Sequence, residues 1–498
     1  MMTPQEAYHD TPFEEIQQSL ELAQEAFKKY SRVPLSKRAE FMKAIARELA
    51  NDPGALVQTA HEETHLPLPR LESEKARTIF QLESYADACE RGDWMQVSID
   101  RGDPGRTPPK PDLRKMKVPL GVVVVFGSSN FPFAYSTAGG DTASALAAGC
   151  PVVVKAHPAH PGTSARVADL ILKAAESCGM PRGIFTHIFG ASVEVGKFLV
   201  QHPLVRAVGF TGSLAGGRQL FDWGNQRKDP IPVFAEMGSV NPVFLLPEKL
   251  AGATAELASQ LAASLTLGVG QFCTNPGLII GLKGEVLEQF AGVLAEAIKK
   301  TVPAAMLHQG IARAYHEKRA AALQQPGVQK IAESAMGADS GKGMPTVATV
   351  EGALFLKNPL LHQEVFGPFS LLIQCEHPGE MYAVAESMEG QLTSTIMATQ
   401  EDIQSHLLLL ESLKRKCGRL ILNGVPTGVE VCQSMQHGGP YPATTDSRFT
   451  SVGPDAISRF ARPLAFQGWP DTLLPDALKD ANPLKLIRTV DSKVVMPQ

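Results

Sequence analysis

The chain has 498 residues, of which 44% are hydrophobic and 20% are charged, and its formal net charge at pH 7 is −4. This profile is typical of a globular protein with several buried cores, and it argues against a disordered chain or a basic nucleic-acid-binding surface. No window approaches ~18 consecutive apolar residues, so no membrane-spanning helix is predicted. The N-terminus lacks the basic and apolar regions of a signal peptide.

The seven cysteines are scattered, odd in number and without a CxxC pair. This distribution argues against a disulfide framework and a zinc site, and it favours a reducing compartment such as the cytoplasm. His157 and His160 are flanked by prolines rather than spaced on a helix. We therefore predict a cytoplasmic protein without a metal site.

The first predicted elements are helices, because apolar residues recur at helical spacing through residues 12–92. We interpret this region as a solvated helical layer without catalytic residues. The next stretch, residues 101–119, is rich in proline and charge. It is either a flexible linker or an extended arm that pairs with another strand.

Strands and helices alternate at short spacing from residue 120 onward. The runs LGVVVVF (120–126) and CPVVVKA (150–156) are typical of strands buried on both faces. A second alternating run extends from about 243 to 422 and is interpreted as a separate domain. The fold class is therefore predicted as α/β, with two doubly wound parallel sheets and a ligand crevice at a carboxyl edge.

Two later segments have patterns that are harder to interpret. Residues 325–352 are rich in Gly, Ala and Thr and are expected to be irregular. The tail from residue 464 onward is interrupted by prolines and has two possible strands, one of them over residues 493–496.

Cys273 is the candidate nucleophile. It lies in the segment GQFCTNPG (270–277), between a predicted helix and a predicted strand. A cysteine attacks as its thiolate, and an isolated, buried cysteine instead packs like a small hydrophobic residue. An isolated cysteine in such a place is more often structural, so the assignment depends on its partners elsewhere in the chain.

Asn130 and Glu236 are the candidate partners. Asn130 follows a buried strand, where its amide can donate to a developing oxyanion; otherwise it is a turn residue. Glu236 follows another strand and is either a salt-bridged residue or a general base. In the second case, burial would raise the pKa of its carboxyl toward neutrality.

Further motifs are typical of nucleotide binding. Lys155 ends a buried strand, where it either contacts a ribose or phosphate or only emerges at the sheet edge. The segment TGSxxxG (211–217) joins a strand to a helix whose N-terminus can bind a pyrophosphate, although the usual GxGxxG fingerprint is absent. Glu364 and Phe366 begin another strand, where Glu364 can bind a ribose and Phe366 can pack against a ring.

These motifs stand together in the order found in one known family. The chain resembles the aldehyde dehydrogenase superfamily along nearly its whole length, through NFP (130–132), Lys155, GSxxxG (212–217), ExG (236–238), GQxC (270–273) and ExFGP (364–368). The segments 153–164, 270–277 and 437–453 are similar to a bacterial branch of α-ketoglutaric semialdehyde (2,5-dioxovalerate) and NADP-dependent fatty-aldehyde dehydrogenases.

The resemblance implies a covalent mechanism on Cys273. Its thiolate attacks an aldehyde, and the side chain of Asn130 with the backbone N–H of Cys273 holds the oxyanion. Hydride transfer leaves a thioester, which Glu236 hydrolyses by activating water. A CoA-acylating relative needs no such base, so Glu236 argues against that alternative. A non-catalytic binding protein would not need the three residues together.

The resemblance also implies a nicotinamide cofactor. Lys155 and Glu364 would bind its riboses, and Phe366 would brace the nicotinamide. The position three residues after Lys155 is Pro158, where many NAD-preferring relatives have Glu. Without that carboxylate, Lys155 and His157 can attract a 2′-phosphate, so NADP is predicted and NAD is also possible. The cofactor-binding candidates are Lys155, His157, Pro158, Gly212, Ser213, Gly217, Gly238, Glu364 and Phe366.

The substrate predicted from the branch is α-ketoglutaric semialdehyde, with a medium- or long-chain fatty aldehyde as the alternative. The semialdehyde needs a cation for its carboxylate, and Arg448 is one candidate, whereas a fatty aldehyde needs an apolar tunnel. The pocket candidates are Phe131, Phe133, Tyr135, Phe272, Thr274, Arg448 and Phe449.

The resemblance divides the chain into three parts. Residues 1–100 and 119–238 form the dinucleotide-binding domain, residues 239–450 the catalytic domain, and residues 101–118 and 451–498 the oligomerisation arm. In this family such an arm pairs with a partner subunit. We therefore expect a homodimer or a dimer of dimers, with neither nucleic acid nor a membrane as partner.

Overall fold

The computed structural model describes residues 8–497, so the expectation of no signal peptide lies partly outside the described residues. No helix in that range is both long and apolar enough to cross a membrane. The α-helices are α1 (Phe13–Tyr30), α2 (Leu35–Ala50), α3 (Ala55–Thr64), α4 (Leu68–Arg91), α5 (Gly140–Ala148), α6 (Pro161–Ser177), α7 (Val193–Gln201), α8 (Leu214–Asn225), α9 (Pro247–Thr266), α10 (Glu285–Lys300), α11 (Gln309–Leu323), α12 (Gly352–Leu356), α13 (Pro378–Ser387), α14 (Gln400–Ser405) and α15 (Leu407–Lys416). The strands are β1 (Ser98–Asp100), β2 (Leu113–Pro119), β3 (Val122–Phe126), β4 (Val152–Lys155), β5 (Phe185–Ile188), β6 (Val205–Thr211), β7 (Val233–Glu236), β8 (Val243–Leu245), β9 (Leu278–Leu282), β10 (Ala304–Ala305), β11 (Gln329–Glu333), β12 (Lys342–Gly343), β13 (Thr346–Glu351), β14 (Phe369–Cys375), β15 (Gln391–Met397), β16 (Cys417–Leu422), β17 (Ala461–Gln467), β18 (Arg488–Val490) and β19 (Lys493–Val495).

The first large sheet has the strand order β5-β4-β3-β6-β7, and all of its pairs are parallel. The valines of β3 and β4 are almost fully buried, because helices cover both faces of the sheet. Lys155 ends β4, Glu236 ends β7, and Asn130 follows β3. The carboxyl ends of parallel strands share one edge, so the sheet brings these three residues to the same side of the domain. The predicted α/β fold is confirmed.

The second large sheet has the strand order β11-β13-β14-β9-β8-β15-β16, in which only β11 runs antiparallel to its neighbour. The expectation of an irregular segment over residues 325–352 is wrong, because β11, β12 and β13 lie there. Residues of β13 are buried on both faces of the sheet, so its sequence TVATVE shows no simple alternation of polar and apolar residues.

A third sheet has the strand order β17-β2-β1-β18-β19. All seven residues of β2 pair with β17, so residues 113–119 form part of an extended arm rather than a flexible linker. The strand expected at residues 493–496 is present as β19. Its edge is apolar and open, with Val494 72% exposed. The domain boundaries given above stay a prediction.

Candidate active site

The loop that carries Cys273 is held by backbone and asparagine contacts. Gly270 has a positive φ of 63°, and a Cβ at this position would lie 2.4 Å from the backbone of Gly367. Only glycine fits this close approach. Asn241 donates to the carbonyl of Cys273 at 2.9 Å, and Asn275 donates to that of Gly367 at 3.1 Å. The backbone around the sulfur is therefore fixed from both sides.

Three reactive side chains meet at this loop. Nε2 of His437 lies 3.7 Å from Sγ of Cys273 and 2.9 Å from Oε1 of Glu236. The other carboxylate oxygen accepts a hydrogen bond from Ser451 at 2.6 Å. The reactive atoms of Cys273, His437 and Glu236 lie within 4.8 Å of one another, and we call these residues the Cys–His–Glu cluster.

The environment shifts the pKa values of two members of the Cys–His–Glu cluster. Burial raises the pKa of the Cys273 thiol well above its usual range, and the charge of Glu236 raises it further. Burial also acts to raise the pKa of Glu236, but the His437 imidazole and the Ser451 hydroxyl outweigh it and lower this pKa. The structure thus corrects the expectation of a raised pKa. Glu236 is ionised at neutral pH, whereas the resting thiol retains its proton.

Asn130 reaches the same loop from the first sheet. It is 9% exposed, and its side-chain amide donates to the carbonyl of Gln271 at 3.1 Å. A cleft of about 390 Å³ is lined by both Asn130 and Cys273. The structure therefore brings together all three residues that the sequence indicated for catalysis, and it adds His437 and Ser451 to them.

The cleft continues from Cys273 toward the edge of the first sheet. Many of the residues indicated for cofactor binding line it: His157, Gly212, Ser213, Gly238, Glu364 and Phe366. Pro158 lines an adjoining cavity of about 190 Å³ together with Tyr8, His157 and His308. Gly217 instead lies behind the cleft, where a Cβ would lie 2.6 Å from the side chain of Met237.

The chemistry of the cleft fits a dinucleotide. Ser213 caps the N-terminus of α8 and accepts from the N–H of Gly216, so this helix end can offer its other N–H groups to a pyrophosphate. Burial raises the pKa of Glu364 to about 7. Burial lowers the pKa of Lys155 to about 8, which leaves most of it charged at neutral pH. These groups can bind hydroxyls and phosphates at the edge of the sheet.

His157 differs from its predicted role. Burial lowers its pKa well below the usual range, and the neighbouring His160 and Lys155 lower it further. Its ring stacks on that of His160 at a centroid distance of 5.5 Å. The expectation that His157 attracts a phosphate by its charge is therefore wrong, because the imidazole is neutral at neutral pH.

Three of the predicted pocket residues form one aromatic group. The ring of Phe131 lies 5.2 Å from that of Tyr135 and 5.5 Å from that of Phe272. Phe131 follows Asn130 in the chain and Phe272 precedes Cys273, so this aromatic group stands beside both candidate catalytic residues. Thr274 is also next to Cys273 but is only 1% exposed.

The other pocket candidates lie elsewhere. Phe133 is 1% exposed within the main core of the first domain. The side chain of Arg448 is 80% exposed and pairs with Asp446. Phe449 packs edge-on against Phe234 at 5.2 Å, behind Glu236. The structure thus corrects the expectation that Phe133, Arg448 and Phe449 line the substrate pocket.

Arginines of other segments stand beside the aromatic group instead. Arg70 and Arg77 belong to α4, in the region that was expected to contain no functional residue. Arg70 stacks over the rings of Phe131 and Phe272, at 4.9 and 5.3 Å from their centroids. No motif marks these residues in the sequence. His437 was more accessible to sequence reasoning, because it begins the HGGP segment that resembles one branch of the family.

Comparisons with known proteins agree with this architecture. The family model described as "Aldehyde dehydrogenase family" matches residues 5–453. Alpha-ketoglutaric semialdehyde dehydrogenase 2 of Azospirillum brasilense is 48% identical over 487 residues, which cover 96% of this chain and 91% of that protein. Alpha-ketoglutaric semialdehyde dehydrogenase of Acinetobacter baylyi is 45% identical over 486 residues, covering 97% and 92%.

The fold is also that of a solved structure. Succinic semialdehyde dehydrogenase from Streptococcus pyogenes, in complex with NADP+, superposes with a TM-score of 0.77 at 18% identity, and the match covers 94% of this chain and 96% of that one. At this identity the likeness concerns the fold alone. Together with the matched family model and the two relatives, it shows that the chain belongs to the aldehyde dehydrogenase family and is an NAD(P)-dependent aldehyde dehydrogenase.

Proposed function

We propose that the enzyme oxidises α-ketoglutaric semialdehyde (2,5-dioxopentanoate) to 2-oxoglutarate, with NADP as the preferred cofactor. The observation that carries the catalytic part is the Cys–His–Glu cluster, whose Cys273 lines one cleft together with Asn130. The substrate is proposed from two relatives, at 48% and 45% identity, whose names specify this semialdehyde.

The first step forms a bond between Cys273 and the aldehyde carbon. The thiol gives its proton to solvent water in the cleft. The resulting thiolate attacks while the N–H of His437 Nε2, which lies 3.7 Å from Sγ and 2.9 Å from Oε1 of Glu236, stabilises its charge. The carbonyl oxygen becomes an oxyanion, to which Asn130 Nδ2 and the backbone N–H of Cys273 donate. This arrangement explains how a thiol with a raised pKa becomes a nucleophile at neutral pH.

A bound nicotinamide supplies the hydride acceptor for the oxidation. In the proposed arrangement, Lys155 and Glu364 hold the riboses, Ser213 with the N–H groups of α8 holds the pyrophosphate, and Phe366 braces the nicotinamide. Glu236 then accepts a proton from the water that attacks the thioester on Cys273. The carboxylate is ready for this role because His437 and Ser451 keep it ionised.

The NADP preference rests on the residues near Lys155. Pro158 presents no carboxylate that would repel a 2′-phosphate, and the charge of Lys155 attracts it. Steady-state kinetics with both cofactors tests this preference. We expect a lower KM for NADP than for NAD, and a KM for NADP far above that for NAD contradicts the proposal.

We also propose a cytoplasmic homodimer or dimer of dimers. All seven cysteines, which lie within the described residues, are free, as suits a reducing compartment. The open apolar edge at β19 offers a strand to a second copy. Analytical ultracentrifugation tests the oligomer, and a monomer at micromolar concentration contradicts it.

A panel of aldehydes tests the proposed substrate. We expect a higher kcat/KM for 2,5-dioxopentanoate than for pentanal, which has the same chain length but no carboxylate. Product formation must not require CoA, and a requirement for it would favour an acyl-transferring relative. A preference for decanal over both shorter aldehydes would instead support the fatty-aldehyde alternative.

A further inference from the structure

Three arginines whose charges act on the aromatic group or the Cys273 loop have no acidic partner among the described residues. Arg70, Arg77 and Arg419, which we call the arginine cluster, are each partly buried. Within residues 8–497, none of them lies within ion-pair distance of a carboxylate, and their hydrogen bonds go to backbone carbonyls. Buried guanidinium groups normally pair with an anion because desolvating an unpaired charge is costly. Three partly buried guanidinium groups without a carboxylate partner therefore suggest a site for an external anion.

Arg70 is tied to both catalytic segments. It donates to the backbone carbonyl of Asn130 at 2.8 Å. Its guanidinium also stacks over Phe131 and over Phe272, which precedes Cys273 in the chain. These contacts place a positive charge where the segment of the oxyanion donor meets the segment of the nucleophile.

Arg77 and Arg419 approach from another side and share one loop. Arg77 donates to the carbonyl of Val429, and Arg419 donates to those of Pro426 and Gly428 at 2.7 and 2.9 Å. Nη2 of Arg77 and Nε of Arg419 are buried and have no hydrogen-bond partner within the described residues. Both guanidinium groups therefore contact the same loop, and each keeps one N–H donor without a partner among the described residues.

The charges of Arg77 and Arg419 act on residues of the candidate active site. Arg77 is close enough to the hydroxyl of Tyr135 to oppose the burial that raises its pKa, and the ring of Tyr135 lies 6.1 Å from that of His437. The charge of Arg419 similarly opposes the burial that raises the pKa of Cys273. Arg70 thus stacks on the aromatic group beside Cys273, and the charges of Arg77 and Arg419 act on Tyr135 and on Cys273.

One buried acid lies near the arginine cluster but does not neutralise it. Glu74 accepts from the N–H groups of Phe133 and Ala134 through one oxygen, at 2.9 and 3.0 Å. Burial raises the pKa of Glu74 although the charges of Arg70 and Arg77 oppose this rise. Even a fully ionised Glu74 supplies one negative charge against three positive ones.

We propose that the arginine cluster binds the carboxylate and adjacent ketone of the substrate while its aldehyde carbon lies at Cys273. This inference rests on the proposed function and adds to it the residues that select an α-keto acid. Four C–C bonds of about 1.5 Å separate the aldehyde carbon from the carboxylate, which places the two ends ~5 Å apart in an extended chain. Guanidinium groups suit this ligand because their planar donors match a carboxylate in a bidentate manner.

The test compares Arg70→Met, Arg77→Met and Arg419→Met with the unchanged enzyme. The measured quantity is the ratio of kcat/KM for 2,5-dioxopentanoate to that for pentanal. We expect each substitution to lower this ratio at least tenfold, mainly through KM for the charged substrate. Arg448→Met is the matched control, because this exposed arginine is paired with Asp446, and it should leave the ratio unchanged.

A second measurement does not depend on turnover. The product 2-oxoglutarate should raise the Tm of the unchanged enzyme, and this shift should be lost in the three arginine variants but kept in Arg448→Met. Arg70→Met and Arg77→Met each lose one backbone hydrogen bond, whereas Arg419→Met loses two, so the first two results stand even where Arg419→Met does not fold.

Two outcomes contradict different parts of the account. A chain that oxidises pentanal as well as 2,5-dioxopentanoate contradicts the proposed substrate and, with it, the arginine cluster as its binding site. A chain that prefers 2,5-dioxopentanoate, and whose arginine variants keep the ratio and the Tm shift, leaves the substrate standing and overturns the role of the cluster.

Discussion

The two sides of Cys273 are built in different ways. On the cofactor side, the residues proposed to bind the cofactor stand at the carboxyl ends of the strands of one parallel sheet, as Lys155 ends β4 and Ser213 follows β6. On the substrate side, α4, β16 and the segment after residue 436 contribute residues that are distant in sequence. The sheet edge gathers its residues by topology, whereas the substrate side depends on packing between separate segments.

The largest effect is expected at Asn130, which lies between the cofactor side and the substrate side of Cys273. We expect Asn130→Ala to lower kcat by roughly 10²–10³-fold, because the oxyanion loses a positioned donor. Binding of NADP, followed by fluorescence, should change little. A fall in kcat that is matched by an equal loss of cofactor affinity would contradict the assigned role and indicate a disordered cleft.

Changing His437 tests whether the C-terminal segment takes part in the chemistry. We expect His437→Gln to lower kcat/KM by about 10²-fold, since the thiolate of Cys273 and the carboxylate of Glu236 both lose the imidazole that stabilises their charge. The rate at which iodoacetamide alkylates Cys273 at neutral pH should fall as well, and peptide mass spectrometry can follow this rate. The exposed Cys432 provides an internal control in the same molecule. Equal alkylation of Cys273 in both proteins would show that His437 is only structural.

The smallest expected effect concerns the charge of Lys155. Because burial lowers its pKa to about 8, the free lysine loses its charge as the pH rises through that value. Affinity for NADP should therefore fall several-fold between neutral and alkaline pH, and affinity for NAD should fall less. Lys155→Arg should abolish the dependence, since a guanidinium remains charged. An equal pH dependence for both cofactors in the unchanged enzyme would exclude Lys155 as the contact to the 2′-phosphate.

The difference between residues at one sheet edge and residues brought together by packing explains how much of the structure the sequence could predict. Continuous apolar runs such as the valines of β3 and β4 identify buried parallel strands. Motifs after or at strand ends locate Asn130 and Glu236, and the segment GQFCTNPG before β9 locates Cys273. Strand β13 escaped prediction because its small and β-branched residues are buried on both faces. Sequence periodicity places residues on helix faces, but it does not show which segment packs against each face.

The arginines illustrate that limit in physical terms. Arg70 and Arg77 lie on a helix that the sequence suggested was solvated, and their contacts are with residues more than 50 positions away. Arg448 was selected because it lies in a recognisable segment, although Asp446, two residues before it, offers a ready ion-pair partner at the surface. A nearby opposite charge is thus a better guide to an arginine's role than membership of a motif.

The central claim is that Cys273 carries the acyl intermediate and Glu236 hydrolyses it. The most direct measurement is the mass of the Glu236→Gln enzyme after incubation with NADP and 2,5-dioxopentanoate, followed by peptide mapping. We predict one 2-oxoglutaryl group on Cys273, accompanied by a single burst of reduced cofactor. A burst of reduced cofactor without an adduct on Cys273, or an adduct on another residue, would contradict this claim.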